Sequence, residues 1–191
     1  LADLERLVNR VLAGYAQPRD LVAMRDTLCR LPDIVNLIGE EQSSILPKLE
    51  LANDELSLLQ SCISDEPPAT LQNTGIIRSG YSPELDSVIE ASQHARDWIA
   101  SLEADERERT GIKSLKVGYN KVFGYYLEIT RANAARVPDE YERKQTLANA
   151  ERYVTPELKE YEARVLGAEE RMTTREAILF DALRGEVGRA I

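Results

Sequence analysis

Apolar residues recur three and four positions apart over most of this chain, and that spacing predicts helices. In the first third the pattern is broken into short pieces: DLERLVNRVL from Asp3, RDLVAMRDTLCRL from Arg19 and a weaker run through NDELSLLQSCI from Asn53. Breaks are expected at Gly14, Pro18, Pro32, Gly39 and Pro47, and the acidic, proline-containing run 64–70 reads as a loop. The following TGIIRSGYS is too short for a domain and predicts one extended segment. A long helix is then expected from Pro83 to Thr110. Ser82 serves as its N-cap, proline takes the first position where no N–H is needed, and Gly111 suits a left-handed C-cap. Along it Leu85, Val88, Ser92, Ala95, Ile99 and Leu102 draw one narrow stripe. At 1.5 Å per residue this helix spans on the order of 40 Å.

The period changes in the middle of the chain. Leu115 to Tyr119 and Tyr125 to Thr130 alternate and are rich in aromatic and β-branched residues, and the five residues between them suit a hairpin loop. Arg143 to Val154 predicts one or two further strands, with a helical turn tolerated at Ala148–Glu151. Helical signals then return, with Thr155 as N-cap and Pro156 at the first position. Leu158, Tyr161, Val165, Ala168, Met172, Leu179 and Leu183 form a second stripe, with a polar gap at Arg175. A narrow stripe is not buried by one helix alone, so the two long helices are expected to pair antiparallel with the β-rich block inserted at their far end. The fold class that follows is mainly α with a small inserted antiparallel β domain. Its expected parts are a helical region and descending helix over 1–110, a β-rich domain over 111–155 and an ascending helix over 156–191. No stop signal precedes Ile191, which predicts that the last helix continues beyond this chain.

Charge sharpens the contrast between block and surroundings. The 191 residues carry a net charge of −9, yet residues 111–155 hold eight Lys or Arg against five Asp or Glu and are +3. The remainder holds 16 against 28 and is −12. Because charges at physiological salt interact mainly within about 8 Å, the regional count is the one that bears on binding. Arg143, Lys144, Gln145, Thr146, Asn149 and Arg152 crowd cationic and hydrogen-bonding side chains into ten residues, all types that phosphate oxygens accept from. Lys121 sits on the hairpin loop, where it reaches outward. By composition alone, a solvated surface and a phosphate grip stand about equal. Six of the eleven aromatic residues lie in the block and read first as its small core.

Enzyme chemistry finds little support. His94 is the only histidine, which removes two-histidine metal sites and most nucleophile–histidine pairs. Its place beside Ala95 suits a helix surface. Glu40–Glu41, Asp105–Glu106 with Glu108, and Glu169–Glu170 are sequence neighbours on helices, where side chains diverge by about 100°, and so read as solvated faces. Cys29 and Cys62 both read as buried free thiols. No apolar run approaches the roughly 18 residues that cross a bilayer, so a soluble, intracellular protein is expected. A rival to phosphate binding is a purely structural module, in which the stripes bind partner helices and the basic block is a stabilising tip.

One resemblance bears on these alternatives. GIKSLKVGYNKVFGYYLEITRAN, followed by P-x-x-Y-x-R-K-Q-T-L-x-N-A-E-R-Y-V-T-P-E-L-K-E-Y-E, resembles the MutS family of DNA mismatch-repair proteins. Asp3–Arg6 with Pro18–Leu21, and GYSPELD from Gly80, extend the similarity over nearly the whole chain. The resemblance implies part of a core or lever domain carrying a clamp domain that holds duplex DNA non-specifically by its backbone. It implies phosphate-facing residues at the hairpin tip and along the RKQTLANAERY motif. The candidates are therefore Lys121, Arg143, Lys144, Gln145, Asn149 and Arg152. Many relatives have lysine where Ala148 stands, so one backbone contact is expected to be missing here. The family's ATP and Mg²⁺ site and mismatch reader are expected outside this chain, with MutS homodimer and MutL as partners of the intact protein and a bacterial cytoplasmic, nucleoid-associated location. The nearest approach to a phosphate loop is Gly75-x-x-x-x-Gly80, but Tyr81 stands where that loop needs lysine, so no ATP binding and no enzymatic activity are expected of this chain.

Overall fold

The structure is a computed structural model that describes residues 2–38 and 52–190. The expected breaks at Gly39 and Pro47 and the Glu40–Glu41 pair lie outside the described residues. Among the described residues six α-helices and four strands follow in the order α1 (Leu4–Leu12), α2 (Pro18–Leu28), α3 (Leu31–Ile38), α4 (Asn53–Cys62), α5 (Pro83–Thr110), β1 (Lys116–Asn120), β2 (Gly124–Thr130), β3 (Glu142–Thr146), β4 (Ala150–Val154) and α6 (Pro156–Ala190). The chain is mainly α with one small antiparallel sheet. Its described residues fall into two compact units, one up to Asp86 and from Met172 onward, the other Ser87–Arg171.

In the first unit α1 starts where Asp3 accepts the N–H of Arg6 at 3.0 Å, and Gln17 and Asp20 form a reciprocal capping box at the start of α2. Pro32, expected as a break, sits instead in the first turn of α3, where its missing N–H is harmless. The extended reading of TGIIRSGYS is met by a single bridge, Ile63 to Ile77. Here α6 presents Met172, Phe180, Leu183 and Val187 to the core. The apolar side of the helix thus runs through Phe180, not Leu179, and the polar gap is filled by Glu176, 2% exposed. Both oxygens of its carboxylate take the N–H of Gly75, at 2.9 and 3.0 Å, and one also takes those of Ile76 and Ile77 at 3.0 and 3.2 Å. A carboxylate so provided with donors is tolerated inside a core where a bare one is not. Cys62 is buried as expected, whereas Cys29 is exposed, at the C-cap of α2.

The second unit holds the sheet, in strand order β1-β2-β4-β3. Its core joins Ala95, Ile99 and Leu102 of α5 and Leu158 and Val165 of α6 to Leu115, Leu127, Ile129, Tyr141 and Tyr153. Trp98 stacks on Tyr161 with ring centroids 3.8 Å apart and planes 7° from parallel. That contact and the Arg96–Glu169 ion pair show the helices antiparallel here, since one index rises as the other falls. Gly111 takes the left-handed cap, with φ +67°. His94 is exposed. Glu106, expected on a solvated face, is 9% exposed and accepts bonds from the Tyr141 hydroxyl and from Arg109 at 2.9 Å, so burial and neutralisation come together.

Four side chains fasten the β1–β2 hairpin to the helices through its main chain. Glu103 accepts the N–H of Val117 at 2.9 Å and Arg107 donates to the carbonyl of Leu115 at 2.7 Å. On the other helix Glu162 accepts the N–H of Tyr125 at 3.0 Å and Lys159 reaches the carbonyl of Phe123. Gly124, at φ +81°, permits this approach: a Cβ there would overlap the Glu162 carboxylate.

Candidate nucleic-acid interface

The sequence-derived site residues sit on two different ends of the sheet. Lys121 lies in the β1–β2 turn, exposed and without an ion pair among the described residues. Asn149 lies in the β3–β4 turn, closed by a bond from Leu147 N–H to the Ala150 carbonyl at 2.8 Å. Because Asn120 pairs with Gly124 while Thr130 pairs with Ala150, these turns leave opposite ends of β2. The seven residues of β2 separate them by roughly 20 Å.

The remaining candidates occupy the β3–β4 hairpin, and β3 is an edge strand with four of its five residues exposed. Arg143 pairs with Tyr153 and Gln145 with Arg152, so Lys144 is an extra residue in the strand, a bulge that turns its side chain away from the regular alternation. Lys144 meets Glu142, and Arg143, 60% exposed, meets Glu151 at 3.2 Å. Glu151 also accepts the Tyr153 hydroxyl, and that bond, with Arg143 behind it, holds its carboxyl below the usual range. Burial, then Glu151, pushes the Tyr153 phenol up to about 12.

Arg152 is held differently. It donates to Glu128 across the β2–β4 pair at 2.8 Å and to Gln145 on β3 at 2.9 Å, and its guanidinium lies over the Tyr126 ring 4.3 Å from the centroid. It therefore ties three adjacent strands together on the sheet face that bears Tyr126 and Glu128. Tyr126 in turn folds over Gly118, where an added Cβ would come within 2.6 Å of the ring.

At the Asn149 end three loops converge. The N–H of Arg131 bonds the Asn149 carbonyl at 3.1 Å. Ser114 and Thr130 share a hydroxyl contact of 3.1 Å, and the Asn133 amide donates to both, at 3.0 and 3.1 Å. Residues 111–114, the 3-10 helix Arg131–Arg136 and the β3–β4 turn are thereby joined. Lys113, Arg131 and Arg136, not singled out from sequence, are exposed here. Their signal was present in the strand ends: Lys113 precedes β1 and Arg131 follows β2, which in a hairpin places both opposite the β1–β2 turn.

The Gly75–Gly80 segment does not fit a nucleotide. Its N–H groups at 75, 76 and 77, the donors that would cradle a phosphate, are already taken by the Glu176 carboxylate. Among the described residues no cluster of His, Cys, Asp or Glu could hold a metal ion, and no helix is long and apolar enough to cross a membrane.

Comparison with known proteins bears on the same region. Residues 80–171 match the model of MutS family domain IV. The DNA mismatch repair protein MutS of Methanothrix thermoacetophila is 51% identical over 98% of this chain, that of Salinibacter ruber 47% over 99%, and that of Exiguobacterium sp. 53% over 97%. The chain covers 22%, 21% and 23% of those three proteins, so it spans about a fifth of the length of the curated relatives it matches. An edge hairpin of basic and amide side chains, a domain IV match that includes it and half-identity along the chain agree: the chain belongs to the MutS family.

Proposed function

We propose that this chain grips duplex DNA non-specifically by its phosphate backbone, as the clamp and lever portion of a mismatch-repair protein. The observation that carries the reading is the placement of Arg143, Lys144, Gln145 and Asn149 on one exposed edge hairpin. Lys144 is engaged by Glu142, an exposed carboxylate, and Arg143 by Glu151, a largely covered one that also holds the Tyr153 hydroxyl. Exposed ion pairs are worth about 0–1 kcal/mol, so a phosphate oxygen displaces Glu142 at little cost, while Arg143 keeps further N–H donors to offer beside its bond to Glu151. Arg152, bonded to Gln145 and to Glu128, braces the hairpin beneath these contacts. Asn149 adds an amide donor at the turn, and Ala148 beside it adds none. Repulsion from the acidic helices confines the duplex to the basic block.

In the same reading the two long helices pass motion between this grip and an ATPase elsewhere in the intact protein, which works with a second MutS copy and with MutL. ATP and Mg²⁺ belong to that other part, and this chain itself carries out no catalysis. The test of the grip is duplex binding by the R143E/K144E variant, expected to be much weakened; binding equal to wild type would leave the helices as a structural module. For the mechanical part, a double-label distance between clamp and core that stays fixed through the nucleotide cycle of the intact protein would count against it.

A further inference from the structure

We infer that Lys113, Arg131 and Arg136 form a second phosphate-binding row on the end of the sheet where Asn149 lies, separate from the β3 edge. The inference rests on the duplex-gripping reading above and extends it to residues on two other loops.

Three observations converge on it. The first is position: strand register puts the loop before β1, the 3-10 helix after β2 and the β3–β4 turn at one end of the sheet, opposite Lys121. The second is rigidity. The Ser114–Thr130–Asn133 bonds and the Arg131–Asn149 main-chain bond fix the three loops to one another, so their cations are presented in a set arrangement. Arg136 is also seated, reaching the Thr110 carbonyl at 3.4 Å across Gly111, whose missing side chain leaves the room.

The third observation is the state of the charges. Arg109, Arg143, Lys144 and Arg152 each have a carboxylate partner. Lys113 and Arg131 form no ion pair among the described residues, although Arg131 lies near enough to Glu151 to act on its charge, and Arg136 bonds only a carbonyl. Glu140 and Glu151 belong to Arg109 and to Arg143 with Tyr153. Asp139 and Glu108 are also exposed in this part of the chain, so the row is less positive than its cations alone suggest. A cation without an internal partner gives up only water and counterions when it meets a phosphate, which makes it the more effective contact in a salt-dependent grip.

The experiment measures duplex affinity of the full chain across a salt series, with a 20-base-pair homoduplex as probe. Each lost phosphate contact reduces the slope of log affinity against log salt by about 0.9. The triple variant K113Q/R131Q/R136Q is expected to lose about 2.7 of slope, whereas R164Q on α6, a cation paired with Glu160 and outside the row, is expected to lose none. R131K/R136K is expected to keep the wild-type slope, because the contact counts charge. Trp98 fluorescence confirms that each variant retains the second unit's core. Wild-type binding with an unchanged slope in the triple variant overturns this inference alone. Absence of duplex binding by wild type overturns the grip itself.

Discussion

Gly124→Ala probes how the sheet is fastened to α6. Two costs add at this position. At φ +81° an alanine sits in the left-handed region, at about 1–2 kcal/mol. Its Cβ also overlaps the Glu162 carboxylate, which must leave the Tyr125 N–H and its partner Lys159. Glu162 is 8% exposed, and losing its charge-assisted bond to the part-buried Tyr125 amide costs about 1.5–3 kcal/mol. The expected total is roughly 2.5–5 kcal/mol, or a fall in urea midpoint of about 1.3–2.5 M for a slope near 2 kcal/mol/M. Trp98, the only tryptophan, reports on this core through its stack with Tyr161. A double-mutant cycle separates the terms: in an E162A background G124A should cost only the backbone share, about 1–2 kcal/mol. Equal costs in both backgrounds, within about 0.5 kcal/mol, would refute the clash as the cause.

Other perturbations test other parts of the account. Ser92 is 3% exposed and its hydroxyl has no hydrogen-bond partner among the described residues, so S92A should raise stability by about 1 kcal/mol in urea melts; a loss would contradict this. Burial pushes the Cys62 thiol up to about 11, from an ordinary 9.0, so its protonated form is favoured in the fold. That contribution is present below about pH 9 and is lost as pH rises toward 11. At pH 8 a thiol reagent should therefore modify one cysteine, Cys29, in the native chain and both after denaturation, with mass as the readout. R152A should lower the urea midpoint yet leave the salt slope of duplex binding unchanged, since its guanidinium serves Glu128, Gln145 and Tyr126. A changed slope would return Arg152 to the phosphate contacts.

Helix α5 was legible from end to end because Ser82, Pro83 and Gly111 mark its limits locally and its stripe is apolar at nearly every turn. Helix α6 was legible in extent but not in detail. Apolar periodicity skips a charged residue, so the stripe showed a polar gap at Arg175 and passed over Glu176 and Glu162, although each is buried on the strength of N–H donors from distant segments. Pro32 misled because proline ends a helix and also begins one. In the interface, counting residues located the basic block but not its organisation. Which end of the sheet a lysine occupies depends on strand order, and whether an arginine is available depends on carboxylates such as Glu128 and Glu151 from neighbouring strands. Both are tertiary facts.

The central claim is that the basic block grips duplex by its backbone, and a salt series on this chain with homoduplex and mismatched duplex side by side tests it most directly. Neutralising about three to five phosphates predicts a slope between roughly −3 and −4.5 with no preference between the two duplexes. A flat salt dependence, or tighter binding to the mismatch, would contradict it.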